Sequence, residues 1–157
     1  MKNLFYYETI LGTIGIAEED NFLTDLFFGR TDAPKDTQEN ESDLIKETIK
    51  QLNEYFAGER KEFNIPLAPQ GTEFQKKDWQ ALQEIPYGLT VSYLDIAEKI
   101  GCPKGARAVG LANNRNPISI IIPCHRVIGK NGKLVGYGGG LDIKIKLLEL
   151  EGADFKK

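Results

Sequence analysis

The sequence predicts an α+β fold in two parts: a sheet-rich N-terminal part over residues 1–69 and a mostly helical C-terminal part over residues 70–157. Three observations predict it. β-Branched and aromatic residues crowd the first thirty positions. Apolar residues at helical spacing, preceded by capping residues and followed by glycines, fill most of the remainder. Between them lies IPLAPQG (65–71), which has two prolines and a glycine and reads as a linker.

LFYYETILGTIGIAEEDNFLTDLFF predicts two or three antiparallel strands, with breaks at Gly12, Gly15 and Asp20-Asn21. TDAPKDTQENES is a polar, acidic loop without an apolar anchor. Ser42 is placed to cap a helix carrying Ile45, Ile49, Leu52 and Phe56 on one face, and Gly58 closes it. Thr72-Glu73-Phe74-Gln75 has the form of a capping box, with Trp79 and Leu82 on the apolar face behind it. Ser92 caps a helix from Tyr93 to Ile100, stopped by Gly101, and GARAVGLA continues as a helix to Asn113-Asn114. Two short helices joined by a tight glycine turn fit a helix-turn-helix, and fit equally an ordinary helix pair in an all-α core. Ile118 to Ile122 is a short apolar run, read as a buried strand leading into Pro123-Cys124-His125-Arg126. A glycine-rich loop surrounds Tyr137, and a last helix from Leu141 to Leu150 puts Leu141, Ile145 and Leu148 on one face.

Hydrophobic residues are 41% of the chain, too many for a disordered one. No stretch approaches the roughly 18 apolar residues of a membrane helix, and MKNLFYYETI lacks the apolar core of a secretory signal. Two cysteines do not make a disulfide framework, so a reducing compartment, the cytoplasm, is expected. The net charge of −3 hides an asymmetry. Residues 1–69 carry seven Lys/Arg and fourteen Asp/Glu, a net −7, and residues 70–157 carry thirteen and nine, a net +4. A basic part beside an acidic one is compatible with a polyanion-binding domain joined to a non-binding one.

Chemistry concentrates at Cys124, which the chain's one histidine, His125, directly follows. A thiolate is the reactive form of cysteine, and a neighbouring base or positive field raises its fraction. Arg126 adds positive charge. Adjacent residues of a strand point to opposite sides, so adjacency alone does not establish contact, and a small buried cysteine beside a structural histidine fits the same pattern. Position before a glycine-rich loop favours function. Cys102, Cys124 and His125 are too few soft ligands for a closed zinc site, so no metal is expected.

At PCHRVIG (123–129) the sequence resembles the O6-alkylguanine-DNA alkyltransferases, the methylated-DNA–protein-cysteine methyltransferases. PYGLTVSY (86–93), ARAVG (106–110), NPISIIIPCHRVIG (116–129), GYGGGL (136–141) and EG (151–152) extend the likeness. YFAGER (55–60), IPL (65–67) and GTEFQ (71–75) carry it into the N-terminal part. The resemblance implies a ribonuclease H-like α/β domain without nuclease chemistry, followed by a helical domain holding a helix-turn-helix and the reactive cysteine. It implies DNA repair by single-turnover transfer of the alkyl group from O6-alkylguanine, and less so O4-alkylthymine, to Cys124, after the base is flipped out of the duplex. It implies a monomer that works on double-stranded DNA in the minor groove and uses no cofactor.

The resemblance also assigns residues. His125 corresponds to a water-bridged general base, Glu151 to the carboxylate that orients it, and Tyr93 to the donor that protonates the leaving guanine at N3, while Ser92 beside it is expected among the DNA- and base-binding residues. Arg107 corresponds to the arginine that fills the gap left by the flipped nucleotide. Ala106 and its small neighbours suit close approach to the DNA backbone, and Asn116 corresponds to a hinge between recognition helix and active site. The carbonyls of Cys124 and Val127 correspond to acceptors for the guanine amino group, and Tyr137 and Gly138 to a lid over the base. Some relatives have serine where Gly138 stands, so a more open pocket that tolerates bulkier alkyl groups is expected. Gly105 departs from the family's usual alanine, a helix cost of roughly 1 kcal/mol. Two other readings remain at this level: a non-catalytic helix-turn-helix module, and a multiple-turnover hydrolase using Cys124, His125 and Glu151.

Overall fold

The computed structural model describes residues 1–134, Tyr137 and residues 140–155. Its chain divides into two compact units, Met1–Gln70 with Pro117–Ser119, and Gly71–Asn116 with Ile120–Lys157.

The first unit is built on β1 (Lys2–Thr9), β2 (Gly12–Glu19), β3 (Phe22–Phe28) and β4 (Thr37–Glu39), in the order β3-β2-β1-β4. The three long strands are antiparallel. Asp20 and Asn21 take φ of 54° and 66° between the paired residues Glu19 and Phe22, the backbone a two-residue turn needs to match strand twist. Gly12 likewise sits at a positive φ of 92°. Gly15 does not break a strand. It lies within β2, where a Cβ would collide with the ring of Phe27, so glycine serves packing there.

The acidic loop contains β4, which pairs in parallel with β1. It needs no apolar anchor, because backbone pairing and the Asn3 side chain, 2.8 Å from Gln38 Nε2, hold an exposed edge. Helix α1 (Asp43–Phe56), capped by Ser42, packs on β1, β2 and β3 and buries Ile45, Leu52 and Tyr55 against Ile14, Ile16, Leu23 and Leu26. The predicted linker is not free chain: Leu23 exchanges backbone hydrogen bonds with Pro66 and Ala68.

The second unit comprises α2 (Glu73–Leu82), β5 (Val91–Ser92), α3 (Tyr93–Lys99), α4 (Ala106–Asn114), a 3-10 turn at Cys124–Arg126, β6 (Val127–Ile128) and α5 (Leu141–Glu151). Thr72 and Ser92 close full capping boxes on α2 and α3. Gly101, at φ 81°, opens the turn from α3 to α4, and the two helices pack together. The indole of Trp79 donates to Ala112 O at 2.9 Å and ties α2 to α4.

Two expectations fail here. Ile118 to Ile122 is not a strand: Ile120 stands at φ 72°, Pro117 and Pro123 bracket the run, and Cys124 leaves it on a 3-10 turn. The apolar residues are still buried, so the run fills the core as a turn. The buried face of α5 is Lys144, Leu147, Leu148 and Glu151, while Leu141 is exposed. Apolar spacing misplaces the helix face because two of its inward residues are charged. Among the described residues no helix is long and apolar enough to cross a membrane.

Candidate active site

The 3-10 turn presents Cys124, His125 and Arg126 in succession, all buried. It is held from three directions. The parallel pair β5–β6 joins Val91 to Val127 and Ser92 to Ile128, so the start of α3 lies beside the end of the turn. The end of α5 brings Glu151 inward, and Gly152 stops that helix at φ 71°. The residue after α4's cap, Asn116, reaches back across Pro117 to the turn.

Glu151 is the centre of a closed charge network. Its Oε2 lies 2.8 Å from His125 Nε2. Arg126 grips both carboxylate oxygens, Nε to Oε1 at 2.8 Å and Nη2 to Oε2 at 3.0 Å, and Nη1 donates to Ile85 O at 2.7 Å. This planar two-point grip is a geometry lysine cannot supply. Burial raises the Glu151 pKa, but the bonds from His125 and Arg126 outweigh it and hold the carboxyl down at about 2. Burial lowers the His125 pKa against the pull of Glu151, so the imidazole is neutral at neutral pH. Its proton belongs on Nε2, facing the carboxylate, which leaves Nδ1 with the lone pair. Nδ1 is buried and has no hydrogen-bond partner among the described residues.

The Cys124 sulfur accepts a hydrogen bond from Asn116 Nδ2 at 3.3 Å, and the same amide donates to Ile122 O at 2.8 Å. Burial pushes the thiol up to about 11, opposed by the Asn116 bond and the charge of Lys144 and reinforced by the charge of Asp78. At neutral pH it is therefore a thiol that needs a base. Tyr93 is half-buried, with its ring 3.7 Å from where a Cβ on Gly110 would stand. Burial, then the charge of Cys124, raises its pKa, so the phenol keeps its proton.

Other predicted residues lie further out. Arg107 is exposed on α4, as is Leu111 one turn on, with exposed Lys104 and Arg115 just beyond the two ends of the helix, and Ala106 is half-buried at its start. Ser92 is spent as the α3 cap. The Val127 carbonyl accepts from Lys144 Nζ at 2.8 Å. Tyr137 O accepts from Gly140 N at 2.9 Å. Gly138 lies outside the described residues.

Three neighbours of the site escape the sequence reading. Lys144 is 1% exposed, and burial lowers its pKa to about 8. Asp78 and Asn113, both buried, face each other between α2 and α4. A signal for Lys144 exists, since it stands at helical spacing from Leu147, Leu148 and Glu151. Another lies in the carboxylates: residues 99–141 hold none, although the chain has 23, and they hold seven Lys/Arg. The stretch covers α4 and the turn with Cys124, and an acid-free surface is what a polyanion would meet.

The comparisons agree with this architecture. The family model described as 6-O-methylguanine DNA methyltransferase, DNA binding domain, matches residues 73–153, and its ribonuclease-like domain matches residues 5–69. The methylated-DNA–protein-cysteine methyltransferase of Methanosarcina acetivorans is 54% identical over 94% of this chain and 96% of its own length. The constitutive enzyme of that name from Bacillus subtilis is 49% identical over 96% and 95%. Among solved structures, Mycobacterium tuberculosis OGT in complex with DNA superposes with a TM-score of 0.91 at 46% identity, covering 96% of this chain and 92% of that one. With both units matched and the cysteine turn, its histidine and its buried carboxylate assembled in one place, the chain belongs to the 6-O-methylguanine DNA methyltransferase family.

Proposed function

We propose that this protein repairs DNA by moving the alkyl group of O6-alkylguanine onto its own Cys124, once per chain. The observation that carries the reading is the His125–Glu151 pair at 2.8 Å beside a buried thiol, with Nδ1 left as the basic nitrogen. His125 takes the thiol proton at Nδ1 through a water, and Glu151 stabilises the imidazolium that forms. The Cys124 sulfur attacks the alkyl carbon. The S–C bond forms as the C–O6 bond breaks, and the bond's electron pair leaves with guanine. Tyr93 gives its proton to guanine N3, so a neutral base departs. The product is a neutral thioether with no route back to thiol in this site, so turnover ends.

Residues 70–157 form the part that binds DNA and carries the transfer, and residues 1–69 a part without chemistry. The exposed face of α4, with Arg107 entering the duplex in place of the flipped nucleotide, meets the minor groove. Small side chains at Ala106 and Gly110 admit the DNA backbone. Asn116 is the hinge between α4 and the cysteine turn. The carbonyls of Cys124 and Val127 accept the guanine amino group, the latter beside its bond from Lys144. Tyr137 and Gly138 cover the base, and glycine at 138 leaves room for alkyl groups bulkier than methyl. The chain acts as a monomer, without a cofactor, where the DNA lies, in the cytoplasm. O4-alkylthymine is a poorer substrate.

The test is the mass of the intact protein after incubation with a duplex containing O6-methylguanine, with Cys124→Ala alongside. The expected result is one added methyl, located on the Cys124 peptide and absent from the variant. An unchanged wild-type mass with duplex binding retained would leave a lesion-binding module and overturn the reading.

A further inference from the structure

Asp78 is the one buried carboxyl of the second unit without a cationic partner among the described residues. It lies on α2, 0% exposed, next to Trp79. What faces it is the side chain of Asn113, in the last turn of α4. With the amide nitrogen turned inward, the orientation that matches donors to acceptors at both ends, that nitrogen lies 2.5 and 3.1 Å from the two Asp78 oxygens and 3.2 Å from Val109 O. A buried carboxyl is costly, and an apolar residue would fill an interhelical position more cheaply. Its retention calls for a role.

The neighbouring bonds supply one. The backbone carbonyl of Asn113 accepts from the backbone N–H of Asn116 at 3.1 Å. Asn116 in turn donates to the Cys124 sulfur and to Ile122 O. Hydrogen bonds joined through the backbone of Asn113 and the side chain of Asn116 therefore link Asp78, by way of the end of α4, to the reactive atom. The adjacent Trp79–Ala112 bond holds the same turn of α4 from the same helix, but it touches only backbone and does not reach the Asn113 amide. Burial pushes the Asp78 carboxyl up to about 7, and its charge by itself disfavours the Cys124 thiolate, so what it contributes to the thiol runs through the Asn116 bond rather than through charge.

We infer that Asp78 is a positioning residue for alkyl transfer: through Asn113 it fixes the last turn of α4, and through that turn the Asn116 amide that meets the Cys124 sulfur. The inference rests on the transfer reading above. It adds a residue that touches neither substrate nor sulfur and acts through two asparagines.

The test compares Asp78→Asn with Asp78→Leu. Both remove the charge, and only the first keeps an acceptor for Asn113, so their difference isolates the hydrogen bond. Three quantities are read on the full chain: transfer from an O6-methylguanine duplex, the pH titration of Cys124 followed by its rate with iodoacetamide, and thermal melting. Asp78→Leu is expected to slow transfer roughly tenfold to a hundredfold, the scale of a small misplacement at a reacting centre. It is expected to titrate Cys124 at higher pH than Asp78→Asn does, because the Asn116 bond favours the thiolate, and to melt no lower than wild type. Asp78→Asn is expected to restore transfer to within about threefold of wild type, since an acceptor is kept. Equal transfer rates and equal thiol titrations in the two variants would overturn the inference, as would a rate loss in Asp78→Leu matched by a fall in melting. Should Asp78→Leu not fold, Asn113→Ala replaces it. In the background of Asp78→Asn it must then slow transfer and raise the thiol titration in the same way, and the absence of both changes would overturn the inference. A wild type that transfers nothing would sink the repair reading instead, and the iodoacetamide titrations would still decide whether Asp78 sets the thiol.

Discussion

The first unit encloses Ile14, Ile16, Leu23, Leu26, Ile45, Leu52 and Tyr55, and of charged side chains only Glu18 among its described residues. The second encloses Trp79, Leu82 and Leu147 together with Asp78, His125, Arg126, Lys144, Glu151 and the Cys124 thiol. Both units are about as long, yet the ionisable groups that are expensive to bury fall almost wholly in one of them. The difference teaches where chemistry is placed. A sheet covered by one helix meets its needs mostly with apolar area and a few neutral polar side chains. A unit that must keep a thiol, a neutral imidazole and an ionised carboxylate side by side has to bury charge and then satisfy it.

Breaking the satisfied charge should do most damage. Glu151→Gln leaves Arg126 without its counter-charge, and a loss of about 3–5 kcal/mol is expected in denaturant unfolding at pH 7. The sign follows from the depressed pKa. The stabilisation from Glu151 is complete above the ordinary glutamate value and is lost as pH falls through about 2, so the gap between variant and wild type should close with acid. A gap independent of pH would mean that the carboxylate's charge is not what matters.

Ile45→Ala sharpens the comparison from the other side. It should cost about 2–5 kcal/mol of stability, as for other buried isoleucines. Transfer measured well below the melting point should nevertheless stay within about twofold of wild type, because Ile45 belongs to the first unit and the cysteine turn to the second. A large rate loss would make the first unit part of the catalytic apparatus.

The smallest effect expected is in the pH–rate profile. His125 must be neutral to accept a proton, and burial lowers its pKa. The acid limb of the transfer rate should therefore lie below the ordinary imidazole value of about 6.5. A limb at or above that value would contradict a buried base.

The two units also differ in how much of them could be read from sequence. β1 to β3, the Ser42 cap and α1 announce themselves by β-branched runs and helical spacing, because a unit with an apolar core obeys apolar patterning. Local rules locate the capping box at Thr72 and the cap at Ser92 as well, though not the Asp95 side chain that completes a box there, since capping is settled within four residues. The cysteine turn defeats the same rules. Ile118 to Ile122 has a strand's composition, but prolines on both sides and the backbone of Ile120 turn it. The α5 face is misplaced because Lys144 and Glu151 point inward. β4, β5 and β6 are too short and too dependent on their partners to leave a pattern. Cys124 and His125 were legible as reactive types. Glu151 entered only through the resemblance, and Arg126 only as nearby charge. Their convergence is a long-range fact, with Arg126 and Glu151 separated by twenty-five positions.

The most direct measurement is a titration of the protein against excess duplex carrying O6-methylguanine, counting unmodified guanines formed per chain with time. The account predicts a rise that stops at one guanine per chain, and no rise for Cys124→Ala. Continued formation past one per chain would mean a hydrolase that regenerates its thiol, and a rise in the variant would move the acceptor away from Cys124; either contradicts the assignment.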